Sequence, residues 1–272
     1  MEYAIQEGLF RGNHEERLVN VLNRFGFNVC FFKHIPFTKE LQWIQVEKTE
    51  LENAYRNASF MVPGEPPVGK NVMAFGSVRF SHFANEFGWN PGSFYNENHD
   101  YNVYSKHYKE NMLNWDSRIQ RLGDPIPEDF FFARPTGDTK TFKGETYGKK
   151  MWEYCLDHAL TNGANPDELI QVCSPKEIMQ EVRCFVVKGK VITASFYKIG
   201  DQVIYQHCTD EDILSFTQEM VDTFQIADAF VIDICRTDKG LKIVECNCIN
   251  CCGFYHIDEQ KLIEALESNF SM

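Results

Sequence analysis

No apolar run in this 272-residue chain comes near the ~20 residues that a membrane-crossing helix requires. Met1 to Glu7 lack the basic-then-apolar order of a secretion signal. Neither membrane insertion nor export is expected, and a cytoplasmic location is. Positive charge is also scarce. Against 27 lysines and arginines stand 39 aspartates and glutamates, a formal net charge of −12. A surface that negative repels phosphate backbones and anionic lipid, which argues against nucleic acid or membrane as a partner. A site for an anion would have to gather its few cations locally. The chain has no internal repeat, no low-complexity tract and no convincing serine–histidine or cysteine–histidine arrangement.

Cysteine, by contrast, is plentiful, with ten residues. A chain this long can build a core without disulfide staples. Cys30, Cys184 and Cys235 lie inside apolar, strand-like runs and read as small buried hydrophobes of a reducing compartment. Leu18, Val19, Leu22 and Phe25 recur at helical spacing over residues 14–25, and residues 27–32 (FNVCFF) predict a buried strand. Strands are also expected at 40–46 and 71–75, and a helix at 77–87. This alternation implies an α/β unit over roughly the first 120 residues. Residues 89–100 read as loop, opening on the turn chemistry of Asn90-Pro91-Gly92. Two prolines within 121–129 suggest a boundary, giving an N-terminal α/β domain over 1–125 and a second domain over 126–272.

That second part reads as α+β, an antiparallel sheet with helices on one face. Strands are expected at 130–134 and 169–173. A hairpin is expected over 181–197 around Lys188-Gly189, and another over 229–246 around Thr237 to Gly240. Helices are expected at 151–161, 212–224 and 258–267. The middle one carries Ile213, Phe216, Met220 and Phe224 on one face, with Thr209 or Asp210 as its cap.

One constellation stands out. Asp233 sits inside the apolar run that starts at Phe230, Glu245 ends the apolar run of the next strand, and Asn247 follows two residues later. A carboxylate in an apolar strand is costly unless it is paired or bound to a cation. In a hairpin Asp233 and Glu245 can lie side by side, with Asn247 pointing the same way. Two carboxylates and an amide oxygen on one face suit Mg²⁺, which keeps waters and takes further ligands from substrate phosphates. The residues alone leave a second reading open, in which Asp233 and Glu245 face solvent or pair with Arg183.

The run 231–250 (VIDICRTDKGLKIVECNCIN) resembles the metal-binding hairpin of ATP-grasp enzymes. Phe132-Ala133-Arg134-Pro135, followed by Thr136 to Lys140, looks like that family's strand before its phosphate-covering loop. Glu181-Val182-Arg183 is similar to its Glu-x-Arg strand. Together these motifs resemble the ATP-grasp clade marked by two arginines and one lysine, here Arg134, Arg183 and Lys140. Gly76-Ser77-Val78 and Trp89 to Gly92 fit that clade more loosely. The likeness covers about residues 70–267 and is densest over 130–258.

The resemblance implies an ATP-grasp fold in which two α+β subdomains with antiparallel sheets clasp ATP. Arg134 and Lys140 would hold the phosphates, with Lys143 as the rival to Lys140. Gln171, Val172 and Cys173 would form the adenine hinge, and Glu181 would contact the ribose or orient Arg183. Asp233, Glu245 and Asn247 would hold Mg²⁺, and Arg183 with Lys140 would act on the reacting groups. The implied activity is an ATP- and Mg-dependent ligase that joins a small-molecule or peptide carboxylate to an amine, or to a thiol, through an acylphosphate. The alternative is a nucleotide-binding regulatory or interaction protein without turnover. Where relatives often have apolar or small residues, this chain has Cys246, Cys248, Cys251 and Cys252. They could form a soft-metal site, but the alternation of Cys246 and Cys248 with Glu245 and Asn247 favours packing. His256 would either line the substrate end or lie on the surface.

Overall fold

The computed structural model describes residues 1–8, 14–35, 38–45, 62–137 and 139–271. Among them no helix is long and apolar enough to cross a membrane. The described strands form three sheets. In the first, β1 (Glu2–Gln6) runs parallel to β2 (Val29–His34) on one side and β5 (Val72–Phe75) on the other. β3 (Leu41–Gln45) and β4 (Val62–Pro63) continue beyond β2 with antiparallel pairing. Val46, expected to end the strand at 40–46, lies outside the described residues.

Helix α1 (His14–Arg24) buries Leu18, Val19 and Leu22, as their spacing predicts, and Val21 as well; Phe25, expected on the same stripe, lies past the helix end and is exposed. Glu15 and Glu16 in its first turn and Arg24 in its last suit the helix dipole. The helix expected at 77–87 is two pieces. The Ser77 hydroxyl caps α2 (Val78–Phe83) by accepting from the Phe80 N–H, and a 3-10 turn over Ala84–Phe87 follows, ended by left-handed Gly88. The Trp89–Gly92 turn lays its backbone along β5, with Val72 N–H on Asn90 O and Ala74 N–H on Gly92 O, both at 3.0 Å. Residues 101–108 then form α3 (Tyr101–Tyr108), which packs its tyrosines into the core of the third sheet.

The second sheet has the order β6-β9-β7-β8 and is antiparallel throughout. It contains β6 (Arg118–Arg121), β7 (Phe130–Pro135), β8 (Glu145–Gly148) and β9 (Leu169–Cys173). Helix α4 (Lys149–Thr161) covers it through Trp152, whose ring meets Phe131, Phe142 and Tyr147. Residues 121–129, where the prolines suggest a domain boundary, join two strands of this one sheet, because β6 satisfies its backbone on β9.

The third sheet has the order β12-β11-β10-β13-β14, again antiparallel. Its strands are β10 (Gln180–Val187), β11 (Lys190–Ile199), β12 (Gln202–His207), β13 (Ala229–Thr237) and β14 (Gly240–Cys248). Lys188 and Gly189 both take positive φ, 47° and 74°, as the tight turn between β10 and β11 demands. Helix α5 (Glu211–Thr223) covers one face with Ile213, Met220 and Val221. Asp210 stands at its N-cap position without a capping side-chain bond. Helix α6 (Glu259–Phe270) lies on the other face and also against α1.

The first and third sheets share a core. Tyr3, Ile5, Phe31 and Phe75 of one belong to the same apolar cluster as Phe185, Val187 and Val231 of the other, with Leu262, Ile263 and Leu266 of α6 between them. Phe254 joins the two, with its ring centroid 5.4 Å from that of Phe75 and 5.7 Å from that of Phe185.

Candidate functional site

The site starts from a register detail. Counted back from the turn, Thr237 pairs with Gly240 and Ile234 with Ile243. Regular pairing would continue with Asp233 opposite Val244 and turn Glu245 to the other face. A β-bulge at this point inserts one residue, so that Asp233 pairs with Glu245. Arg183 is the neighbour of Asp233 on the opposite side, and Ser195 is the neighbour of Arg183. Four polar residues therefore stand on one rung across four strands. The opposite face carries Cys184, Ile232 and Cys246, packed under α5.

Arg183 holds Asp233 with two bonds, Nε to Oδ1 at 2.8 Å and Nη2 to Oδ2 at 2.7 Å. Its Nη1 donates to the Gly253 carbonyl at 3.4 Å, and Nη2 lies 3.9 Å from Glu245 Oε1. Asp233 is fully enclosed, with 1 % of its side chain accessible, whereas Glu245 keeps 22 %. The bidentate pair is the alternative that spacing left open for Asp233. Glu245 forms an ion pair with Arg134 Nη1, which reaches over from β7 of the second sheet. That pair closes the gap between two sheets at one carboxylate.

The charges set the ionisation. Burial lifts the Asp233 carboxyl to about 6, against the pull of Arg183. Burial also pushes Glu245 upward, but Arg134, Arg183 and Lys140 together outweigh it and hold the group at about 2. Both are ionised at neutral pH. In the metal-free protein the Asp233 carboxyl carbon should titrate by NMR with a midpoint near 6. Arg183→Lys should move that midpoint upward, since a single ammonium replaces a bidentate guanidinium. An unchanged midpoint would show that the guanidinium does not hold the carboxylate.

Between the second and third sheets lies a cleft of about 1170 Å³. Arg134, Lys140, Lys143, Glu181 and Glu245 line it. Lys140 takes a left-handed φ of 55° in the loop after β7. Asp138 of the same loop lies outside the described residues. Lys143 pairs with Glu145 at 2.7 Å, while the charge of Lys140 acts on Glu245. Glu181 accepts from Tyr197 Oη at 2.9 Å and pairs with Lys198 at 3.2 Å, while Arg183 engages Asp233.

Gln171, Val172 and Cys173 are buried in β9, the interior neighbour of both β6 and β7. Gln171 and Val172 pair with β6 and β7 alike, whereas Cys173, at the strand's end, pairs with β7 alone, and none of the three is among the residues that line the cleft. The wall is made by Lys176 to Met179, just beyond Ser174-Pro175, and Leu113, Phe132 and Val244 complete its apolar part. The dipeptide Ser174-Pro175 is the available sequence signal, because a strand that ends there must pass its chain to a connector. Tyr197 and Lys198 of the cleft also carry no motif.

For Mg²⁺ the donor set fits in part. Glu245 presents an ionised carboxylate at the cleft, and the Asn247 side chain hydrogen-bonds to it. Asp233 commits both oxygens to Arg183. Among the described residues no three of histidine, cysteine, aspartate and glutamate gather as a metal cluster. Few protein ligands are enough for an ion that keeps waters and shares phosphates. Cys246 and Cys252 pack in apolar cores, and Cys248 lies against Ser93 and Asn250. His256 is exposed, with Nδ1 3.0 Å from Arg17 Nη1.

Residues 78–266 match the family model of an ATP-grasp domain, the third family of the clade marked by two arginines and one lysine. The chain belongs to that ATP-grasp family. Comparison with curated proteins gives no match. Among solved structures, the ATP-grasp chain is similar to the D-alanine–D-alanine ligase from Coxiella burnetii, with a TM-score of 0.62 at 11 % identity over 98 % of this chain and 94 % of that one. It is similar to the D-cycloserine synthetase DcsG, at 0.57 and 10 % identity over 98 % and 99 %. It also resembles the D-alanine–D-alanine ligase from Bacillus anthracis complexed with ATP, at 0.55 and 11 % identity over 98 % and 96 %. At such identities the likeness establishes the fold.

Proposed function

We propose that the protein is an ATP-dependent ligase that activates a carboxylic acid as its acylphosphate and passes the acyl group to an amine. The observation that carries this reading is the Arg134–Glu245 pair across the cleft, with Lys140 acting on the same carboxylate. One cation from the second sheet and one from the loop after β7 meet an ionised carboxylate of the third sheet at a large groove. A polyphosphate needs both, cations for its oxygens and a carboxylate for its metal ion.

In this reading the adenine lies against Phe132, Ile178 and Met179, and backbone groups of Lys176 to Met179 read its edge. Arg134 and Lys140 bind the β- and γ-phosphates. Glu245 and Asn247 would hold Mg²⁺, which when bound would offset phosphate charge and sharpen the electrophilicity of the γ-phosphorus. A carboxylate oxygen of the acid bonds to that phosphorus, and its bond to the ADP oxygen breaks. The amine then adds to the acyl carbon and loses a proton, and inorganic phosphate leaves. Asp233 aims Arg183 along the rung, where its charge stabilises the transferring phosphoryl group and the tetrahedral oxyanion. The loop 253–258, which stacks Tyr255 on Tyr197 of the cleft, shapes the pocket for acid and acceptor.

The test is ADP release from Mg-ATP across panels of ¹⁸O-carboxylate acids and amines. The reading predicts one ¹⁸O atom in the released phosphate for each amide formed. Phosphate free of ¹⁸O would rule out the acylphosphate. Tight Mg-ATP binding with no ADP release for any pair would favour the regulatory reading.

A further inference from the structure

Tyr255 lies in the loop between β14 and α6 and takes a left-handed φ of 54°. A bulky residue adopts that conformation only where its surroundings hold it. Here they hold it on several sides. Arg17 of α1 donates to the Tyr255 carbonyl at 3.0 Å and the Ile257 carbonyl at 2.9 Å, and pairs with Glu259 at 2.5 Å. Ser195 Oγ accepts from the His256 N–H at 3.1 Å, and Thr193 Oγ1 accepts from the Asp258 N–H at 3.0 Å. The loop is thus tied both to the first helix and to β11.

The consequence is a ring fixed over a charge. The Tyr255 centroid lies 5.0 Å from Arg183 Cζ, within cation–π range, and Tyr197 lies 5.9 Å from the same atom. Tyr255 stacks on Tyr197 at 5.0 Å and on Tyr205 at 5.2 Å, and His14 of α1 meets it edge-on at 6.0 Å. The edge of the Arg183 guanidinium is occupied by Asp233 and Gly253. Hydrogen bonds at the edge fix where the group points, and rings packed on its face limit how far its plane can tip.

We propose that Tyr255 is a positioning residue for Arg183, whose ring fixes the guanidinium plane in the rung with Asp233 and Glu245. The inference rests on the role assigned above to Arg183. A preorganised charge stabilises a transition state because it need not reorient, and a misplacement of about 1 Å can cost on the order of a hundredfold in rate. The ring acts, not the hydroxyl, so phenylalanine should substitute.

The test uses the full chain and two readouts. The first is hydrogen exchange at Arg183 Nε–H, observed by ¹H–¹⁵N NMR and assigned with Arg183→Lys. Tyr255→Phe should leave exchange unchanged, and Tyr255→Leu should speed it about tenfold or more. Tyr255→Met replaces the leucine variant if that one does not fold. Equal exchange in the wild type and the ring-less variant overturns the proposal. The second readout is ADP release from Mg-ATP with the acid–amine pair that the panels above identify. Tyr255→Leu should lower kcat roughly ten- to a hundredfold, with KM for ATP changed by less than about twofold, and phenylalanine should restore it. Added to Arg183→Lys, it should cost little more, because the two side chains act as one unit. Losses that multiply would show that Tyr255 acts on its own and would also overturn the proposal. A wild type that releases no ADP with any acid–amine pair of the panels contradicts the ligase reading, while the exchange readout still decides the role of Tyr255.

Discussion

Glu245→Gln is expected to lower Mg-ATP turnover by roughly two to three orders of magnitude, the usual cost of removing one preorganised charge from a transition state. Glutamine preserves shape and removes charge. The charge matters because Glu245 stays ionised down to about 2 under the combined field of Arg134, Arg183 and Lys140. Two effects of opposite sign then follow on binding. Without its carboxylate the site loses its hold on Mg²⁺, so Mg²⁺ should no longer strengthen ATP binding. The cations that faced Glu245 become available to phosphate, so metal-free ATP should bind as well as before or better. Calorimetric titration with ATP, with and without Mg²⁺, reads both effects, and ADP release reads the rate. A variant that keeps both the Mg²⁺ dependence and the turnover would remove Glu245 from the site.

Phe254→Ala should give the largest loss of stability. Its side chain is fully buried and touches Phe75 of the first sheet and Phe185 of the third. Truncating a buried phenylalanine costs about 3–5 kcal/mol, the lost transfer energy plus the cavity left behind. For a chain of this size that lowers Tm by roughly 10 °C. Because both sheets feed one apolar cluster, the variant should still melt in a single calorimetric transition. Two transitions, with only one of them shifted, would show that the sheets fold apart and that the shared core is weak.

The elements that sequence reveals and those it conceals differ in how they bury themselves. Helix α1 and the strands of the two C-terminal hairpins bury one clean face or a continuous apolar run, so periodicity finds them. β1 does not alternate: Tyr3, Ala4 and Ile5 are all buried, with Glu2 and Gln6 at its ends. Helix α3 buries tyrosines among polar neighbours, and β12 is an exposed edge strand; neither carries a strong pattern. The prolines of 121–129 look like a linker because sequence does not show that β6 crosses back to pair with β9.

The site divides along the same line. Asp233, Glu245 and Asn247 are visible as polar residues that interrupt apolar strands. Their partners are not visible, because the bulge at Val244 and the alignment of a third strand decide that Arg183 takes Asp233 while Arg134 takes Glu245. The apolar sequence of β9 draws attention as a hinge. Gln171 and Val172, paired on both sides, have their backbone groups already engaged, and the connector that follows lines the cleft.

In the proposed reading the groove between the second and third sheets takes Mg-ATP. Thermal unfolding of the full chain with Mg-ATP, ATP alone and Mg²⁺ alone tests it most directly. A ligand at a hundred times its dissociation constant adds about 2.7 kcal/mol. For a chain of this length that raises Tm by roughly 5–10 °C. The account predicts a rise of that size with Mg-ATP, clearly larger than with either component alone. No rise at millimolar Mg-ATP would contradict it.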